Sequence, residues 1–255
     1  MAARQDAPRR LREPGLRPGG AIMQRLWAWA CLLATLAFIA SYFVVPDFNG
    51  FTPDQFPNVI EEPPVQPSGY AFAIWGLIYV WLLVGAVFGA VRRSDDEDWM
   101  PMRPWLALSL ALGATWLPVA SVSPLAATVL IFLMLAAALR ALFRVGDTDR
   151  WLQQAPVAIY SGWLTAAAFV ALGVVLGGYE IFSPTIAALI SLSLALALAV
   201  IVQYRLHRAP EYGITVIWAL VGVIIQNSQP FNAAVAGLAL LGIVAILSLR
   251  ATDTE

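Results

Sequence analysis

Eight apolar runs follow one another along the chain, and none has Asp, Glu, Arg or Lys in its middle. They cover about Leu26 to Val45, Tyr70 to Val91, Trp105 to Ser121, Leu125 to Phe143, Ala155 to Leu176, Ile181 to Val202, Tyr212 to Ile225 and Phe231 to Leu249. A helix that crosses a bilayer needs roughly 20 mainly apolar residues. The chain is 60% hydrophobic and 12% charged, against averages of about 45–50% and about 25% in soluble domains. The fold class expected is all-α: a polytopic membrane helix bundle of about eight transmembrane helices, the seventh being the shortest.

The positive charges test that count. Every one is an arginine, and the 15 of them group before the first run, between the second and third, around the junction of the fourth and fifth, after the sixth and after the eighth. Alternating spans place all of these on one side. The opposite loops hold Asp47, Asp54, Glu61, Glu62 and Glu180 and no arginine. This is the positive-inside asymmetry of a multi-pass plasma-membrane protein with both termini in the cytoplasm.

The basic tail, residues 1–25, is expected to meet anionic lipid, at about 1 kcal/mol per arginine near the surface, and no nucleic acid. Met23 is a second candidate start. The first apolar run is too long for the roughly 7–15 residues of a signal-peptide core, and the single Cys31 excludes an internal disulfide. Residues 26–176 would form a five-helix bundle with an outer loop at 46–69, and residues 177–255 a three-helix extension.

Catalytic chemistry has little to work with. The one histidine, His207, falls in an arginine-bearing loop, so no intramembrane imidazole pair or three-histidine metal site can form. No serine has a base beside it. The acidic run Asp95-Asp96-Glu97-Asp98 has no second cluster to face across a metal-bound diphosphate and is expected to be a solvated loop. No catalytic residue, metal or required cofactor is assigned, and ion coupling is disfavoured by the lack of charge within the spans.

Aromatic residues with polar tips are what remains. Pro67-Ser68-Gly69-Tyr70-Ala71-Phe72-Ala73-Ile74-Trp75 joins a loop rich in proline (Pro46, Pro53, Pro57, Pro63, Pro64) to the second span, and Phe48, Phe51 and Phe56 in that loop favour a packed lid. Trp75 and Tyr79 follow. Trp116 lies in the outer half of the third span, and Tyr160 and Trp163 are three apart on one face of the fifth. An indole N–H at that depth calls for a partner or an internal cavity, so Trp163 should face the bundle. Gly85 with Gly89, and Gly173 with Gly177, allow close helix packing or dimerisation.

Trp75-x-x-Ile78-Tyr79 after a proline-rich loop, Trp116, and Tyr160-x-x-Trp163 followed by Ala166-Ala167 resemble the tryptophan-rich sensory protein or translocator protein family, TspO/MBR, in an enlarged bacterial and plant-type branch. The resemblance covers about the first five spans. It implies a five-helix bundle with a cavity roofed by the first loop, binding porphyrins or other flat hydrophobic molecules, in sensors, regulators or carriers that are often homodimers. Trp75 and Trp163 match tryptophans lining that cavity, and Tyr79 and Tyr160 match neighbouring aromatic positions. Two asparagines of the family are replaced by Gly113 and Ala171, and no basic residue follows Tyr179 where the animal sterol motif has one.

The expected function is therefore binding of a planar hydrophobic ligand such as a tetrapyrrole by Trp75, Tyr79, Trp116, Tyr160 and Trp163. The alternatives are a transporter of a neutral or lipophilic solute, in which Trp218, Gln226 and Asn227 join the pathway, and a membrane structural or assembly factor.

Overall fold

The computed structural model describes residues 18–44 and 50–252. Phe48, Pro46 and Arg4 to Arg17 lie outside the described residues. Among the described residues there are eight α-helices: α1 (Pro18–Val44), α2 (Ile74–Val91), α3 (Arg103–Ala120), α4 (Pro124–Leu142), α5 (Gln154–Gly178), α6 (Pro184–Leu206), α7 (Pro210–Gln226) and α8 (Ala233–Thr252). The starts of several are written in the sequence. Pro124 and Pro184 stand at first-turn positions, where a missing N–H costs nothing. Ser123 and Ser183 precede them, and their hydroxyls accept the free N–H groups of Ala126 and Ile186.

Six helices are long and apolar enough to cross a membrane. The other two, α3 and α7, have 18 and 17 residues, or about 27 and 26 Å at about 1.5 Å per residue. Both are polar at one end. The second span differs from expectation at its entrance, because Gly69–Ala73 forms a 3₁₀ turn and the α-helix begins only at Ile74.

The helices form two rings that share α5. In the first, α1 packs on α3, α3 on α4 and α4 on α5, and α2 closes the circuit between α1 and α5. In the second, α5 packs on α6 and α7, and α8 joins those two. This position explains the composition of α5. A helix that is apolar all round belongs in the middle of a bundle, and 67% of its apolar stretch is buried.

Glycines set the closest approaches. A Cβ on Gly162 of α5 would lie 2.6 Å from the Tyr212 carbonyl oxygen of α7. Gly85 and Gly89 of α2 receive the Leu152 carbonyl and the Trp99 indole, and Gly173 and Gly177 receive Val65 and Ile60 of the lid. Both GxxxG pairs thus serve packing within the chain.

The arginine-bearing loops meet at one end of the bundle. Arg93 pairs with Asp149 at 2.8 Å, Arg208 with Asp147 at 3.1 Å, and Arg150 with Glu211. Arg103, buried at 1% exposure, donates to the carbonyls of Gly89 at 3.1 Å, Ser94 at 3.1 Å, and Arg93. A cation on the last carbonyls of α2 satisfies orphan acceptors and opposes the negative end of the helix dipole.

The acidic run is only partly the solvated loop expected. Asp95 and Glu97 are exposed, and Arg25 reaches Asp95 at 2.9 Å. Asp98 instead docks the α4–α5 loop, accepting from the backbone N–H groups of Asp147 at 3.2 Å and Thr148 at 3.0 Å and from the Thr148 hydroxyl. A carboxylate beside free N–H donors is worth more bonded to them than to water alone.

Candidate ligand-binding site

The centre of the first ring is aromatic. On α2, Trp75 and Tyr79 are one turn apart, and their rings stack at 5.4 Å with 22° between planes. On α5, Tyr160 and Trp163 project toward them and are buried at 0% and 2% exposure. Trp163 meets Trp75 edge-on at 6.1 Å and Phe72, from the 3₁₀ turn, at 5.7 Å. Phe38 of α1 stands among these rings, 5.9 Å from Trp75, 5.4 Å from Tyr79 and 5.8 Å from Tyr160, edge-on to each. Such contacts add about 0.5–1.5 kcal/mol each beyond the area they bury.

Two polar groups lie within the cluster. The Ser109 hydroxyl of α3 donates to the Met134 carbonyl at 2.8 Å, so at 2.9 Å it accepts from the Tyr160 hydroxyl. Tyr160 is thereby fixed. The Trp163 indole N–H has no hydrogen-bond partner among the described residues. It is a donor buried among rings, and leaving it so costs roughly 1–3 kcal/mol.

Four of the five residues named from the sequence, Trp75, Tyr79, Tyr160 and Trp163, are thus linked by ring contacts through each other and Phe38. Trp116 belongs to a neighbouring group under the lid. Its ring lies 6.4 Å from Phe51, its indole donates to the Ala127 carbonyl at 2.9 Å, and Phe51, Phe56 and Tyr179 continue the group edge-on at 6.0 and 5.6 Å. Sequence reasoning missed Phe38, Phe72 and Ser109. An apolar residue in an apolar span carries no local mark, and Phe72 was visible only as part of the loop phrase.

The loop after α1 is a packed lid bound to three helices. The Gln55 side chain donates to the Ala120 carbonyl at 3.0 Å, and the Asn58 backbone to that of Gly178 at 3.0 Å. Ser68 donates from its backbone to Gly222 at 3.0 Å. Two of the three residues named for a transport pathway, Asn227 and Trp218, belong to this fastening. Asn227 donates to the Pro64 carbonyl at 2.7 Å, and the Trp218 indole to that of Ala71 at 2.9 Å. Gln226 lies beside them, half-buried.

Two small cavities lie outside the cluster, and none of its rings lines either. One, about 20 Å³, lies toward the arginine-bearing end between Cys31, Gly85, Arg103 and Gln153. The other, about 30 Å³, lies between α5, α6 and α7 beneath Val65 and Pro67. Sites for drug-sized ligands run to about 300–1,000 Å³, so a tetrapyrrole fits neither as it stands.

Gly113, where a family asparagine is absent, has a structural counterpart. A Cβ there would come within 2.7 Å of the Phe38 ring, so the phenyl group takes the space that a longer side chain would fill. Ala171 is buried in the core of α5.

The model of the TSPO-like protein family fits residues 25–250, running through α6, α7 and α8 as well as the first ring. No curated protein and no solved structure matches the chain.

Proposed function

Since the chain belongs to the TSPO-like protein family, we propose that it binds a planar hydrophobic molecule of the porphyrin type in the aromatic centre of its first ring, as a sensor, regulator or carrier. The observation that carries this reading is the Trp163 N–H, buried without a partner and faced by Phe72 and Trp75. An apolar protein core gains nothing from an unpaired donor, whereas a flat ligand with an acceptor atom would satisfy it while stacking on the rings around it.

The setting is a plasma membrane with the arginine-bearing end in the cytoplasm. That orientation rests on the positive-inside preference, and it puts the lid and the ligand's point of entry on the outer side. A homodimer is compatible with the exposed apolar faces of α1 and α2. The GxxxG pair of α2 is filled from within the chain and is not its seam.

The test is quenching of tryptophan fluorescence in the detergent-purified protein titrated with protoporphyrin, comparing wild type with Trp75→Phe and Trp163→Phe. Saturable quenching, shifted to weaker affinity in either variant after correction for the lost fluorophore, is expected. Linear quenching in every variant, as for free tryptophan in detergent, would sink the tetrapyrrole reading.

A further inference from the structure

Phe38 sits where all five helices of the first ring converge. It comes from α1, touches Trp75 and Tyr79 of α2 and Tyr160 of α5, and lies over Gly113 of α3. Met134 of α4 closes the same niche, since its methyl group would be 3.0 Å from a Cβ on Gly113. Its exposure is 4%. The ring therefore fills the middle of the proposed site with an aromatic group supplied by the chain itself.

We infer that Phe38 is an internal stopper: it occupies the ligand's place in the empty protein and is displaced when a planar aromatic group enters. This rests on the reading that the cluster is a ligand site. Three features separate a stopper from ordinary core packing. The pocket around it is built of ring edges and faces that would receive another aromatic ring as well as a phenyl. Gly113 supplies a niche that exists only because that residue has no side chain.

The third feature is the backbone of α1. The Ser41 hydroxyl donates to the Phe38 carbonyl at 2.7 Å and the Thr35 hydroxyl to that of Cys31 at 2.8 Å. Hydroxyls bonded back onto the preceding turn compete with the helix ladder and favour bending. α1 stays helical through this segment, so the effect is a slight loosening of the backbone that carries Phe38 and not a break in it. The entering group is chemically defined too: the hole Phe38 leaves admits one ring of phenyl size at the centre, with any larger planar system extending from it.

The stopper lowers apparent affinity by the fraction of molecules in which it is withdrawn. If that fraction is about one in ten, removing the ring tightens binding about tenfold. The experiment uses full-length Phe38→Ala, Phe38→Leu and Gly113→Ala proteins, each checked for folding by helical circular dichroism and thermal melting. Each is titrated with protoporphyrin by tryptophan quenching and with fluorobenzene by ¹⁹F NMR.

The expected result is tighter protoporphyrin binding in Phe38→Ala and a saturable bound fluorobenzene signal absent from wild type. Phe38→Leu, which keeps an apolar side chain and loses the ring, gives the same direction should the alanine protein not fold. Gly113→Ala should change affinity in the wild-type background and not when combined with the Phe38 variant, because its methyl group acts on that ring. Unchanged protoporphyrin affinity in a folded Phe38 variant overturns the stopper, whether or not fluorobenzene binds, although protoporphyrin binding itself would stand. A fluorobenzene site in Phe38→Ala with no protoporphyrin binding in any variant is only the cavity left by a deleted core ring, and it overturns the stopper together with the tetrapyrrole reading.

Discussion

The indole N–H of Trp218, on α7, donates at 2.9 Å to the carbonyl of Ala71, in the 3₁₀ turn that leads into α2. The Trp218 ring also meets Tyr70 edge-on at 5.4 Å, and the Ser68 amide, just before the turn, donates to Gly222. The entrance to the helix bearing Trp75 and Tyr79 is thus fastened to the second ring. That gives the C-terminal helices a task at the first ring's site.

Trp218→Phe keeps the ring and deletes the donor. The expected cost is about 1 kcal/mol for one hydrogen bond, confined to the turn. Amide exchange in residues 69–73 should accelerate while the middle of α5 remains protected. Unchanged exchange across the turn would mean that the Trp218 contact does not hold it.

Gly162→Ala should drive α5 and α7 apart. The new methyl group would lie 2.6 Å from the Tyr212 carbonyl oxygen and 2.9 Å from the Thr215 Cβ, positions that backbone and a β-branched side chain cannot cheaply vacate. Overpacking of this kind costs about 1–3 kcal/mol. The neighbouring hydrogen bond between Thr165 and Tyr212, 3.0 Å long, should weaken with it. Gly237→Ala on α8 is the control, since nothing lies within 4 Å of its added methyl group. Thermal melting should fall for the first and hold or rise for the second, and equal melting temperatures would contradict the proposed close contact.

Acid should release the loop docked by Asp98. Partial burial alone would raise its pKa, but the hydrogen bonds from Thr148 and the Asp147 amide outweigh it and hold the carboxyl below its ordinary value. A carboxylate depressed in the folded state stabilises above its unfolded pKa, about 3.9, and that contribution is lost as pH falls through the lower folded value. Limited proteolysis across residues 146–150 should therefore be flat near neutral pH and increase only below the usual carboxylate range. In Asp98→Asn the loop should be more open at neutral pH and the acid step should shrink to what the Asp147–Arg208 and Asp149–Arg93 pairs contribute. An acid step of the same size in that variant would assign it to another group.

Much of the architecture is legible in the sequence because the bilayer imposes it. A run free of charge and long enough to cross can satisfy its backbone only as a helix, so the eight runs become eight helices with ends shifted by a few residues. Serine and proline before α4 and α6 mark their starts locally. The site is legible in part. Tyr160 and Trp163 share a face by helical spacing, and Trp75 with Tyr79 does so by a single turn. Trp116 looks equivalent to them in the sequence, yet its carbonyl partner and Phe51 place it under the lid.

The order and spacing of apolar and charged residues settled that this chain is a membrane bundle, that its described residues form eight helices, and which end gathers their loop arginines, since each follows from transfer free energies that act residue by residue. Which rings meet was decided only by tertiary structure. Phe38 fills the space opposite Gly113, the acidic run docks a distant loop, and α7 holds the turn before α2, because these contacts join residues far apart in the chain. Their energies depend on the packing of helices whose neighbours no local pattern names.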